Sequence, residues 1–555
     1  MNGSKKRRIR IDRIIIFIIG VLLTSYLCFL LISKLFIGVK NVIVKETFYV
    51  ASDKYTAPLY DMEFNKISEL TRGKEVIISL DKTTNNEEEY YKVNYQGNDY
   101  YIKVSSLVKD KKDIVQEKDM YVKISSTIYK DSDTGKIASF VAKDNKVTVV
   151  GYDKINDDGS VNMYQINHKD ETGYVYSKYL SFDEENIINE YDKYHENRDF
   201  YYDLYGGSGD DLDYTYREKP VFENNIMPED ARTLYVNGWV LSNIDSYINI
   251  AKNNNINAFV IDIKDGFMAY ESEVAKNYSI SNYNSSYNTK EKYKEVIQKL
   301  KDEGFYVIGR IVAFNDKLFA KDNPSESIVS SSLENTSWVS AFSRLAWEFN
   351  VELAKEAVIE FGFNEIQFDY VRFPEASYSY SKNNYNFKNK YNEEKAQAIQ
   401  NFLMYATDEI HKLNAYVSAD VFGECSNTYV TAYGQYWPAI SNVVDVISSM
   451  PYPDHFAKGA YGLSIPWEHP YELMYNWAKG AVKRQTEIPT PAKVRTWIQA
   501  YDAIFAPYIT YDADMISKQI SGLYDAGLKG GYITWNGNSS ISKYQAIAQA
   551  FRKEY

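Results

Sequence analysis

Hydrophobic and polar positions divide the chain into four regimes. Ile14–Ser33 is a run of 20 residues without a charged side chain, the length a helix needs to cross a bilayer. Between residues 47 and 182, apolar and polar positions alternate in short runs broken by turn residues, which predicts strands. The pattern occurs twice: Lys74–Leu80, Tyr91–Tyr95 and Tyr100–Leu107, then Lys146–Val150, Met163–Asn167 and Gly173–Leu180. Two small all-β barrels are expected, over 47–110 and 116–182. Residues 183–220 are polar and acidic, with GGSGDD at Gly206–Asp211, and read as a linker.

From about Thr233 short apolar strands alternate with amphipathic helices. Eight strands are expected near Thr233–Val240, Ala258–Ile263, Tyr306–Phe314, Glu365–Tyr370, Tyr416–Val421, Val444–Ser449, Val494–Gln499 and Tyr532–Trp535. Helical periodicity lies between them, as at Lys290–Glu303, Ser343–Phe361, Glu393–Leu413, Tyr471–Arg484 and Asp512–Ala526. Such alternation means parallel strands with crossovers. Eight units predict an α/β region over 221–555 closed as a (β/α)8 TIM barrel. No GxGxxG or GxxxxGK[ST] occurs, so nucleotide cofactors have no support and none is expected.

Composition adds two restrictions. The first 13 residues hold six cations and one acid, so they carry +5 of the net −12 and the rest carries −17. An acidic body argues against nucleic acid as a partner. The basic cluster before the apolar run places residues 1–13 in the cytoplasm and 14–33 in the membrane, with the bulk outside. A cleaved signal peptide is the rival reading, although the apolar run exceeds the usual length and no A-x-A site follows. The two cysteines, Cys28 and Cys425, form no metal or disulfide pattern, and the five histidines have no ligand spacing. No metal is expected.

One stretch concentrates the chemistry. Phe361–Glu375 reads FGFNEIQFDYVRFPE, a short buried strand ended by proline and holding Asp369 and Arg372. A carboxylate there is costly unless paired or used. It reads either as a structural Asp–Arg pair or as a catalytic group at a barrel mouth. Other polar residues at strand ends are Asp262, Lys264 and Asp265, Arg310, Glu375, Asp420 and Glu424, Tyr452, Asp454 and His455, Gln499, Trp535 and Asn536. Asp262 and Asp265 read equally as structural partners of Lys264, and Asp420 as a group bonding the turn after its strand. Trp535 reads as a sugar platform or a core residue.

The motif FNEIQFDYVRFP resembles the signature of a glycoside-hydrolase-like family of bacterial surface proteins. Further matches follow in order: NAFVIDIKD (Asn257–Asp265), YVIGRIVAF (Tyr306–Phe314), YVSADVFG (Tyr416–Gly423), MPYPDHF (Met450–Phe456), RTWIQ (Arg495–Gln499) and GGYITWN (Gly530–Asn536). The two β modules resemble bacterial SH3-like domains, which implies peptidoglycan or other wall contact, or a spacer role. The resemblance implies a polysaccharide substrate and a two-carboxylate retaining mechanism, which needs a neutral acid beside an anionic nucleophile. The expected catalytic groups are Asp369 as nucleophile, held anionic by Arg372, with Asp420 as acid/base and Glu424, Glu375 or Asp262 as substitutes. Asp262, Asp265, Arg310, Arg372, Glu375, Tyr452, His455, Gln499, Trp535 and Asn536 are expected to bind substrate. The alternatives are a glycan- or wall-binding protein without turnover, or a transglycosylase using the same carboxylates.

Overall fold

The computed structural model of the chain describes residues 11–39, 45–52, 55–115, 118–182, 206, 207, 209, 212–330 and 335–555. Residues 1–10 of the expected basic tail and 183–205 of the expected linker lie outside the described residues. Ile11–Val39 is one helix. Its segment Arg13–Ser33 is long and apolar enough to cross a membrane, a property that a signal sequence near the N-terminus shares. The chain divides into two compact units, residues 1–118 with 148–165, and residues 119–147 with 166–555.

Two seven-stranded antiparallel sheets occupy residues 45–108 and 118–181. Counted in chain order within each sheet, the strands of both follow the order 3-2-6-5-4-1-7. The duplication read from hydrophobic alternation is therefore a duplication of topology. Each sheet has more strands than alternation revealed. Lys66–Thr71, for example, buries only Leu70, so it carries no period-two signal. The first sheet folds over a core that includes Phe48, Val50, Leu59, Val76, Ile78, Val93 and Ile102.

The C-terminal region is a mixed α/β body around a nearly closed parallel barrel. Its strands, in chain order, are Ala231–Val236, Ala258–Lys264, Tyr306–Val312, Glu365–Asp369, Tyr416–Phe422, Val446–Met450, Lys493–Val494, Thr496–Gln499 and Gly531–Trp535. From Ala258–Lys264 to Lys493–Val494 each strand pairs with its predecessor in sequence, Thr496–Gln499 pairs only with Gly531–Trp535, and Gly531–Trp535 also pairs with Ala231–Val236. The two ends of the strand order are Lys493–Val494 and Thr496–Gln499, which only Arg495 separates along the chain. Every residue of Ala258–Lys264 and of Tyr306–Val312 is buried, as expected for parallel strands covered by helices on one side and by the barrel interior on the other. Ala231, Tyr235, Val260, Ile308, Tyr416, Trp497 and Ile533 meet in that interior.

Local chemistry sets the strand ends. The helix Arg344–Phe361 is capped by Ser343, whose side chain accepts from the Ala346 N–H. It stops at Gly362 with φ +72°, a conformation that glycine adopts without penalty. The chain then enters Glu365–Asp369. The first barrel strand ends at Val236, earlier than its apolar pattern suggested, because Asn237 and Gly238 turn out of the sheet. The described end of the expected linker is not a free connection. Leu212 and Tyr214 are buried in a cluster with Ala396, Val430, Tyr436 and Ala439, and Lys219 donates to the Asn442 and Val444 carbonyls at 3.0 and 2.6 Å.

Candidate active site

Side chains at every second strand position face the barrel interior. At the C-terminal ends of the first four strands this brings Tyr235, Asp262, Arg310 and Asp369 together. Arg310 is the hub. Its Nη1 donates to Asp262 Oδ1 at 2.7 Å and to Asp265 Oδ2 at 3.0 Å. Its Nη2 and Nε donate to Asp369 Oδ2 at 2.6 and 3.1 Å. The guanidinium also lies 5.7 Å from the Tyr235 ring centroid and 5.4 Å from that of Trp535, within cation–π range. Tyr235 donates its hydroxyl to Asp262 Oδ2 at 2.6 Å.

The partner of Asp369 is thus Arg310, and the expected Asp369–Arg372 pairing is corrected. Tyr370, directly after Asp369, has φ +50°. This left-handed turn, unusual for a bulky residue, sends the following residues away from the carboxylate. Arg372 instead pairs with Glu375 at 2.9 Å and lies 4.4 Å from the Phe422 ring centroid. Lys264 likewise does not bind Asp262 or Asp265. It pairs with Asp316 at 2.6 Å and bonds Asn350 at 3.1 Å.

Asp369 Oδ1 accepts the Tyr370 N–H at 2.6 Å. Asp420, on the neighbouring strand, is wholly buried. Its Oδ1 accepts from Trp497 Nε1 at 2.7 Å, while its Oδ2 is buried without a hydrogen-bond partner among the described residues. Burial first, and the charge of Asp369 second, hold the Asp420 carboxyl well above the usual carboxylate range. Burial also raises Asp262, to about 6, against the pull of Arg310. A carboxyl pushed toward its neutral form beside one paired with a guanidinium is an asymmetry that acid–base chemistry uses.

A cavity of about 190 Å³ opens over these groups. Of the residues expected to serve the site, Asp265, Arg310, Asp369, Arg372, Tyr452, His455 and Trp535 line it. Asp262 and Asp420 lie behind this wall. Four others are elsewhere. Glu424 is exposed and accepts from the Tyr429 and Tyr433 hydroxyls at 2.7 and 2.8 Å. Glu375 is 65% exposed in its pair with Arg372. Gln499 is buried and accepts the Asp454 N–H at 3.2 Å, and Asn536 donates to the Ser540 carbonyl at 3.3 Å. Asp454 is held by the Tyr501 hydroxyl at 2.8 Å and the Ile504 N–H at 3.2 Å. Cys425 is buried, which pushes its thiol up and away from nucleophilic use. Sequence reasoning missed Trp497 and Tyr235. Both have an inward position two residues from one already singled out or buried (Gln499, Thr233), so strand alternation was the available signal.

The sign of the Asp420 shift gives a testable stability effect. Its folded-state pKa is raised, so the folded chain keeps a proton that the unfolded chain releases as pH rises above about 4. Stability from this group is complete below that pH and falls as pH rises. Asp420→Asn has no such loss. Its stability relative to the native chain should grow by about 1.4 kcal/mol per pH unit from about pH 4 toward neutrality. Denaturant unfolding of both proteins from pH 4.5 to 7 checks this, and a difference that stays flat would mean that Asp420 ionises normally in the fold.

Residues 233–541 match a family model described as "Putative glycosyl hydrolase domain". No curated protein matches the chain. Among solved structures, a hypothetical protein from Ruminiclostridium thermocellum ATCC 27405 is 31% identical, covers 34% of this chain and 97% of its own, and has a TM-score of 0.29. The PgaB (BpsB) glycoside hydrolase domain from Bordetella bronchiseptica is 13% identical over 59% of this chain and 100% of its own, with a TM-score of 0.41. The Flavobacterium johnsoniae chitobiase is 11% identical over 58% of this chain and 48% of its own, with a TM-score of 0.38.

Proposed function

Because the chain belongs to the glycosyl hydrolase domain family that its residues 233–541 match, we propose that its barrel cleaves glycosidic bonds of an envelope or extracellular polysaccharide. The barrel is read as (β/α)8, with Lys493–Gln499 as one strand interrupted at Arg495. The observation that carries the reading is Asp369, ion-paired with Arg310 on the cavity wall, next to Asp420 on the adjacent strand, whose carboxyl burial pushes well above the usual range.

In this mechanism Asp369 attacks the anomeric carbon as the bond to the leaving oxygen breaks. Asp420 gives its proton to that oxygen. It then takes a proton from the water that displaces Asp369 from the glycosyl–enzyme ester, and the anomeric configuration is retained. Arg310 holds and orients Asp369 before attack through two hydrogen bonds. Tyr452, His455 and Trp535 bind sugar hydroxyls and the apolar sugar face. The N-terminal helix serves as a single-pass anchor, with the basic tail in the cytoplasm and the barrel outside. The two β modules act as SH3-like wall-binding or spacer domains, with peptidoglycan as their candidate partner.

The test is incubation of the full chain with purified wall polysaccharide and a panel of glycans, followby assay of reducing ends and NMR of the first product anomer. Release with retained configuration is expected. Release with inversion would remove the nucleophile role of Asp369 and leave it as a base. Asp420 sits behind the cavity wall rather than on it, and this favours one second reading, a glycan-binding barrel without turnover. Binding without release from any glycan would establish that reading instead.

A further inference from the structure

A second cavity, of about 320 Å³, adjoins the first, and Asp265 and Trp535 belong to the walls of both. The remaining wall comes from Tyr235 and Asp262 on the first two barrel strands and from loops after the first, second and last strands. Three of its aromatic residues are unusually open: Trp239 is 54% exposed, Phe267 39% and Tyr287 43%. Tyr287 packs edge-on against both of the others, with ring centroids 5.6 Å from Trp239 and 5.6 Å from Phe267. Exposed rings braced against one another form a fixed apolar surface that water covers poorly.

The loop carrying Trp239 is held in place. A Cβ on Gly238 would come within 2.8 Å of the Ala269 Cβ, so only glycine allows this approach. Asn288 Nδ2 ties the two segments by donating to the Gly238 and Ala269 carbonyls at 3.1 and 2.8 Å. Beside the rings, Asn237 is 4% exposed and lines the cavity. Its Nδ2 donates to the Gly537 carbonyl at 3.0 Å, but its Oδ1 is buried without a partner among the described residues. A buried acceptor left open is costly and fits a donor brought by a ligand. The charged groups of the wall are Asp262 and Asp265, which repel an anionic ligand and tolerate a neutral or cationic one.

Aromatic faces with one open acceptor match a sugar ring, whose C–H face is apolar and whose hydroxyls donate. We propose that this cavity is a second sugar-binding subsite, contiguous with the cleavage cavity, for a neutral or amino-sugar unit of a glycan chain. The inference rests on the glycan reading of the site given above. The substrate then spans both cavities, and recognition improves with chain length until both are filled.

The test uses the full chain carrying Asp369→Asn and calorimetric titration with β-1,4-linked oligomers of glucose, N-acetylglucosamine and glucosamine, from one to about six units. Affinity for at least one series should rise tenfold or more once the oligomer spans both cavities. Adding Trp239→Ala should remove that gain and leave affinity for the shortest bound oligomer within twofold, and Asn237→Ser should reduce the gain. A gain that survives Trp239→Ala and Tyr287→Ala, or no binding of any oligomer, would overturn the subsite. Binding needs no turnover, so the two readings fail separately. A Trp239-dependent gain without reducing-end release by the native chain defeats the hydrolase reading alone. Release by the native chain without such a gain defeats the subsite alone.

Discussion

Arg310→Met should cost the fold about 3–5 kcal/mol at pH 7.5, the range expected when one member of a buried charge cluster is removed. Asp262 and Asp369 are nearly buried and share this one guanidinium. Without it they must either stay charged in a low-dielectric interior or take up protons. Their folded-state pKa values then lie above the unfolded ones, so the variant loses stability as pH rises and regains it as pH falls. Denaturant unfolding at pH 7.5 and pH 5 separates the outcomes. The expected result is a large deficit at pH 7.5 that shrinks at pH 5. Equal deficits at both values would mean that Arg310 acts through packing against Tyr235 and Trp535 rather than through charge. Arg310→Lys should recover little, because an ammonium lacks the fork that reaches three carboxylates at once.

A second large effect is expected deeper in the barrel. Glu365 and Arg495 are both fully buried and paired at 2.8 Å, and Tyr306 donates its hydroxyl to Glu365 at 3.0 Å. Arg495 is also the residue at which the seventh strand position is interrupted. Arg495→Met leaves Glu365 charged in the interior and should cost about 3–5 kcal/mol. Glu365→Gln should be costly for the converse reason. The double variant removes both charges, so it should recover much of either loss, giving a strongly non-additive cycle. Additive losses would mean that the two side chains stabilise the barrel independently.

The fold was largely written in hydrophobic spacing, because parallel barrel strands must be apolar on both faces and their helices amphipathic. Expected and observed strands coincide within one or two residues at Ala258–Lys264, Tyr306–Val312, Glu365–Asp369 and Tyr416–Phe422. The helix Lys290–Asp302 matches as closely. The site was legible as a set of residues but not as a set of partners. Asp369 and Arg372 are three apart and look like a local pair, yet the left-handed Tyr370 turns them apart. Arg310 is 59 residues from Asp369, a distance along the chain that no local pattern bridges. Whether a strand-end carboxylate reaches the cavity was equally hidden. Glu424 is only four residues beyond Asp420, but its short turn carries it outward to Tyr429 and Tyr433.

The central claim, that the barrel cleaves glycans through Asp369, is tested most directly by one comparison. The native chain and Asp369→Asn are assayed side by side for reducing-end release from the same wall polysaccharide, with thermal unfolding of both as the control for folding. The account predicts release by the native chain and a loss of about 10³-fold in the variant, the scale of removing a reacting carboxylate, with unfolding little changed because Arg310 keeps Asp262 and Asp265 as charged partners and the asparagine oxygen still accepts from it. Release that survives the substitution in a folded variant would contradict it.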